Sequence, residues 1–178
     1  MPSNISKTLA FIGDGEGKTS AAIGHAVRAA GHGKKVAVIQ FLKGMDNIGE
    51  YKLLQNSKNS DGLIEMYLAG DRTFLMPGDD KTKHSAKAKE GIKLAKELIN
   101  SGKFFLVVLD EVLDAMAAGL ILMDDIRSLL SAPSKPHIII TGRTLPSELS
   151  HYVDLITRLQ KIKHYYDKDE KGIEGLDW

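Results

Sequence analysis

Residues Gly13 to Ser20 read GDGEGKTS. Small residues in such a run let successive backbone N–H groups turn onto phosphate oxygens. A following lysine neutralises phosphate charge, and a hydroxyl beside it can bind Mg²⁺. Gly13, Gly15 and Gly17 supply the small residues, Lys18 the charge and Thr19 the hydroxyl. Asp14 and Glu16 fill the loop between them, and Ser20 adds a second hydroxyl where a helix should begin. The spacing is one residue shorter than the common GxxxxGK[ST] form: Ile12 stands where the first glycine belongs. A tighter cradle would hold a triphosphate in a different pose from that used for phosphoryl transfer.

A second acidic element lies far along the chain. FFLVVL is followed by Asp110 and Glu111. A carboxylate at the end of a buried strand, downstream of a phosphate loop, is the Walker B arrangement. Asp110 is expected to bind Mg²⁺ directly or through water, and Glu111 to do the same or act as a base. Arg143, in TGRTLP, and Lys43 with Gly44 follow other strands on the same sheet edge. Contact with phosphate or substrate and a plain loop position fit each of them equally. The six histidines have no HxxxH or HExxH spacing, so a histidine metal site is unsupported. His25, His84 and His151 are assigned to the surface, and Phe104 and Phe105 to the core.

The elements that must position these groups are legible as apolar runs. KTLAFIG reads as a buried strand entering the glycine loop. An Ala-rich helix follows and stops at Gly31 and Gly33. KKVAVIQFL is the next strand, which completes a βαβ unit. A short helix is expected near EYKLLQN, a strand at LIEMYLA, and a helix over Thr82 to Asn100 with its lysines outward. KFFLVVLDE, HIIITGR and VDLITRLQKIK read as further strands, with a helix at Asp124 to Leu130. Gly44 to Ser60 carries the least pattern. The alternation predicts an α/β fold with a mostly parallel sheet and flanking helices, of P-loop NTPase (RecA-like) architecture.

Bulk composition narrows the classes. The chain has 178 residues, 43% of them apolar, which suits one domain over residues 1–178. A net charge of +1 gives no basic field for nucleic acid. The absence of cysteine excludes a disulfide framework and a cysteine zinc site. No apolar run reaches the roughly 18 residues of a membrane span. These features predict a soluble, cytoplasmic protein.

With these motifs in place, the sequence resembles the P-loop family of ATP:corrinoid adenosyltransferases, the cob(I)yrinic acid a,c-diamide adenosyltransferases. The carriers are GDGEGKTSAAIGHAVRAAGHGKKVAVIQFLKG, LVVLDEV, IIITGR and the tail KIKHYYDKDEKGIEGLDW. The family shares the short loop. The resemblance implies attack by corrinoid Co(I) on C5′ of ATP, with triphosphate leaving and no general base required. Lys18, the loop and Mg²⁺ would then stabilise the leaving triphosphate. Thr19 and Glu111, with Asp110, would hold Mg²⁺, and Asp14, where the family often has Asn, would touch the nucleotide. It also implies a homodimer and an electron donor such as a flavoprotein. One stretch departs from the family. Its Gly-Phe-Thr-Trp-like segment, whose aromatics press on the corrinoid, is here GDRTFLMPGDD, with Arg72 for Phe, Thr73 retained and Phe74 for Trp. A P-loop NTPase or phosphotransferase, and a binding module without turnover, remain the alternatives.

Overall fold

Burial dictates the architecture. β2 (Val36–Phe41) and β4 (Leu106–Asp110) are buried at every residue, so both faces of the sheet must be covered, which is the property of a parallel sheet. The computed structural model describes residues 6–55, 61–73, 75–76, 78–168 and 170–177. Its sheet has six strands in the order β3-β2-β4-β5-β1-β6. The others are β1 (Thr8–Ile12), β3 (Ile64–Ala69), β5 (His137–Gly142) and β6 (Leu155–Arg158). Every pairing is parallel.

The edge strand β6 is exposed throughout, whereas side chains of β1, β2, β4 and β5 alternate between two apolar layers. One takes Ile12, Ile39, Leu109 and Ile140 against α3 (Thr82–Asn100), α4 (Val112–Ala117) and α5 (Met123–Leu130). The other takes Phe11, Val38, Val108 and Ile139 against α1 (Lys18–Gly31) and α2 (Gly49–Leu54). Alanines 22, 26 and 29 are the buried residues of α1, and small side chains let that helix lie close to the sheet. A four-residue helix, α6 (Ser147–Ser150), precedes β6, and a 3₁₀ turn spans Tyr165–Lys168.

The expected helix over 82–100 forms with those bounds, and its lysines are exposed. Other expectations need correction. α4 was not anticipated, because VLDAMA continues the apolar run of β4. The break comes from Glu111, whose φ of 59° turns the chain out of the strand. The last strand ends at Arg158 instead of running on to Lys163. Phe105 is 41% exposed, since it precedes β4 instead of lying within it; its ring lies 4.6 Å from that of His137. His84 is only 7% exposed, in the first turn of α3 and facing the segment at Thr73. In the region 44–60, α2 forms as expected and residues 56–60 lie outside the described set.

Strand β1 leads through α1 to β2, across β5 and β4, so the C-terminal ends of β1, β2, β4 and β5 gather at one edge. Crevices at such edges are where open α/β sheets take ligands. Leu109 is fully buried at the centre of β4. We expect Leu109→Ala to lower the unfolding free energy by about 2–5 kcal/mol, measured by urea denaturation, with the ordinary spectrum of a folded α/β protein retained.

Candidate active site

The site is organised by a carboxylate with no exposure to solvent. Asp110 ends β4 and is 0% exposed. A buried carboxylate is costly unless donors surround it. Here they come from four elements. Thr141 Oγ1 of β5 donates to Oδ1 at 2.7 Å. Thr19 Oγ1, in the first turn of α1, lies 3.0 Å from both carboxylate oxygens. Gln40 Nε2 of β2 donates to Oδ2 at 3.2 Å and to Glu50 Oε1 of α2 at 2.9 Å. Lys43 Nζ, just past β2, also lies 3.2 Å from Oδ2.

Glu111 follows with its N–H donating to Thr141 Oγ1 at 2.7 Å. Burial pushes its carboxyl up to about 7; Asp110 and Asp114 reinforce the shift, and Lys43 and Lys18 oppose it. Burial works against the charged form of Lys43 too, but Asp110, Glu111 and Glu50 outweigh it and hold the ammonium above the usual lysine value.

The glycine loop is shaped by the tail as much as by any phosphate. Leu159, just after β6, takes its N–H to Ile12 O at 2.7 Å and gives its carbonyl to the Gly15 N–H at 2.9 Å. Gly13 donates to Arg143 O at 3.0 Å. In this structure both of these N–H groups are engaged by protein carbonyls. Glycine is required for another reason. A Cβ on Gly13 would lie 2.1 Å from Leu159 O, and one on Gly15 2.8 Å from Gln160 C. Lys18 Nζ reaches back to Gly15 O at 2.7 Å.

Further tail contacts close over the loop. The Lys161 N–H donates to Asp14 Oδ1 at 3.3 Å, a bond that, with one from the Asp14 N–H, keeps that carboxyl below its ordinary value. His164 Nε2 lies 3.2 Å from Glu16. Asp14 and Glu16 therefore face the tail in this structure. Ser20 is exposed on α1.

A cavity of about 1140 Å³ opens in front of this cluster. Lys18, Thr19, Glu111 and Arg143 line it, and so do Arg72, Thr73 and His84. Tyr166 and Asp177 bring the tail to its wall. Phe74, the expected aromatic of this wall, lies outside the described residues. Sequence reasoning brought Lys18, Thr19, Asp110, Glu111 and Arg143 to one edge and missed Gln40, Glu50 and Thr141. The signal was present for two of these: Gln40 and Thr141 are polar residues inside apolar strands, near the ends that face ligands.

The donor set near Asp110 consists of oxygens: the Thr19 hydroxyl and the carboxylates of Asp110 and Glu111. That chemistry fits a hard divalent cation. Among the described residues no cluster of three or more acidic, histidine or cysteine side chains forms a metal site by itself. A cation here would complete its shell with phosphate oxygens and water, as Mg²⁺ commonly does.

Parallel sheet, glycine loop, loop lysine and strand-end carboxylate define a P-loop nucleotide-binding α/β protein. Comparisons with known proteins refine that class. The family model described as ATP:corrinoid adenosyltransferase BtuR/CobO/CobP matches residues 6–178, and the chain belongs to that family. A corrinoid adenosyltransferase of Escherichia coli K12 is 32% identical over 171 residues, covering 96% of this chain and 84% of its own. One from Pseudomonas aeruginosa PAO1 is 32% identical over 170 residues, 93% and 82% of the two chains. The corrinoid adenosyltransferase CobA of Salmonella typhimurium LT2 is also 32% identical, with 96% and 84% covered. Among solved structures, the flagellar accessory protein FlaH of Methanocaldococcus jannaschii shares the fold, with TM-score 0.56 at 13% identity over 86% of this chain and 70% of its own.

The tail contacts make a direct prediction. Gly13→Ala must push Leu159 off the loop, so trypsin is expected to cut at Lys161 and Lys163 several-fold faster than in the parent protein. Equal cleavage rates would show that the tail is not held by this contact.

Proposed function

We infer that the chain transfers the 5′-deoxyadenosyl group of ATP to the Co(I) centre of a reduced corrinoid, in the making or salvage of adenosylcobalamin. The cobalt electron pair forms the bond to C5′. The C5′–O bond breaks, and its electron pair leaves on triphosphate. One observation supports this reading for a member of this family: the triphosphate-type groups Lys18, Thr19 and Arg143 line the same cavity as Arg72, Thr73 and His84. That continuity gives both substrates one chamber, and much of the acceleration then comes from holding C5′ in line with cobalt.

The residues divide the work. Lys18 is placed to swing from Gly15 O onto the departing triphosphate, and Arg143 faces the same space. Thr19, Asp110 and Glu111 would hold Mg²⁺, which supplies positive charge to the leaving group. Co(I) brings no proton, so the step asks for no base. The reading treats residues 1–178 as one catalytic domain, a homodimer in the cytoplasm, with an electron donor such as a flavoprotein reducing the corrinoid. Among the described residues no helix is long and apolar enough to cross a membrane.

A second reading, phosphoryl transfer or NTP hydrolysis, is favoured by one feature: Glu111 lines the cavity beside Lys18 and Thr19, where a base could activate water. The phosphate product separates the two. Anaerobic turnover with ATP and reduced corrinoid should yield triphosphate under ³¹P NMR; ADP with inorganic phosphate would favour the second reading. Lys18→Ala is expected to reduce kcat/KM for ATP by about 10²-fold or more, the scale of losing one charge-stabilising group. Near-normal turnover would remove the loop assignment. Phe74→Ala should reduce corrinoid turnover far more than ATP binding, and equal losses would make it a packing residue.

A further inference from the structure

Lys43 stands apart from the phosphate loop in sequence, yet its ammonium pairs with three carboxylates of the site. β2 ends at Phe41, and Leu42 adopts a φ of 61°. A left-handed turn at a branched side chain is uncommon, and the next residue is the lysine that lies over the strand ends. A single nitrogen, Lys43 Nζ, then meets four oxygens. Asp110 Oδ2 is at 3.2 Å, Glu50 Oε1 at 3.5 Å, Glu111 Oε1 at 3.8 Å and Thr19 Oγ1 at 3.5 Å. The lysine side chain is 21% exposed. Lys18, the other ammonium at this end of the cavity, is turned to Gly15 O, so the direct ion pairs to this carboxylate group come from Lys43.

We propose that Lys43 is a resident cation that competes with the divalent ion for the oxygens of Thr19, Asp110 and Glu111, and so sets the affinity of this site for metal. The proposal rests on the reading that those three residues hold the ion. The geometry makes the two exclusive. Three of the four oxygens around Nζ belong to the residues that would ligate the ion. A divalent charge and an ammonium a few Å apart repel strongly in a half-buried setting. The ion enters only as Lys43 withdraws. Lys43 also lines the cavity beside Lys18 and Thr19, so the withdrawn ammonium has open space in which to move. Binding of the ion is thereby linked to binding of an anionic ligand that can receive the lysine, and metal without nucleotide is disfavoured. Gln40 supports this arrangement. It ties Glu50 to Asp110, and its own Oε1 is a buried acceptor with no hydrogen-bond partner among the described residues.

The test uses Mn²⁺ as a paramagnetic probe, titrated into the full chain without nucleotide and followed by electron paramagnetic resonance. Lys43→Met keeps the length of the side chain and removes its charge. It is expected to bind Mn²⁺ at least about tenfold more tightly than the parent, a difference of about 1.4 kcal/mol. Lys43→Arg should stay near the parent value. The Met variant should also melt lower without metal and recover on adding Mn²⁺, as expected when a ligand binds only the folded state. If Lys43→Met binds Mn²⁺ no more tightly than the parent, the competition is refuted. A separate outcome would sink the metal assignment beneath it: Thr19→Val and Glu111→Gln leaving Mn²⁺ affinity unchanged in the presence of ATP.

Discussion

The structure depends on accommodating one carboxylate, that of Asp110, away from water. A fully buried charged group is tolerated only when donors reach both of its oxygens. Those donors come from α1, β2 and β5 and from the segment after β2. None of these elements is adjacent in sequence to β4; even β5 follows only after α4 and α5. Satisfying Asp110 therefore fixes where the phosphate loop enters α1, how β2 ends and how β5 aligns beside β4. The catalytic edge and the fold share one constraint, because the residues that satisfy the carboxylate also shape the cavity.

The tail imposes the second constraint. Leu159 hydrogen-bonds to Ile12 and to Gly15 across the loop. This crossing engages the N–H of Gly15, while that of Gly13 goes to the carbonyl of Arg143. The short spacing and the overlying tail are thus two sides of one geometry. Lys18 and Thr19, at the end of the loop, line the cavity together with Tyr166 and Asp177 of the tail.

Much of this was legible in the sequence because it rests on periodicity and local motif. The apolar runs of β1, β2, β4 and β5 announce a parallel sheet, and the amphipathic spacing of α3 marks its ends. Lys18, Thr19 and Asp110 are visible because their neighbours in sequence define their context. The rest depends on distance in sequence. Asp110 meets Thr19 across 91 positions and Gln40 across 70, and no local pattern records that meeting. His84 looked like a surface residue because its helix is mostly lysine-faced; the loop packed against its first turn buries it. Phe105 looked like core because the run it opens is apolar, but it precedes β4 and stays exposed. α4 was hidden by the continuity of apolar residues through a backbone reversal at Glu111.

The central claim is that bond formation occurs at C5′ of ATP. It is tested most directly with ATP carrying ¹³C at C5′, mixed anaerobically and in the dark with the protein, Mg²⁺ and chemically reduced corrinoid. The account predicts that the label moves into a light-sensitive alkyl-cobalt product, with one triphosphate released for each. Label remaining in ADP or AMP, with the corrinoid spectrum unchanged, would contradict it.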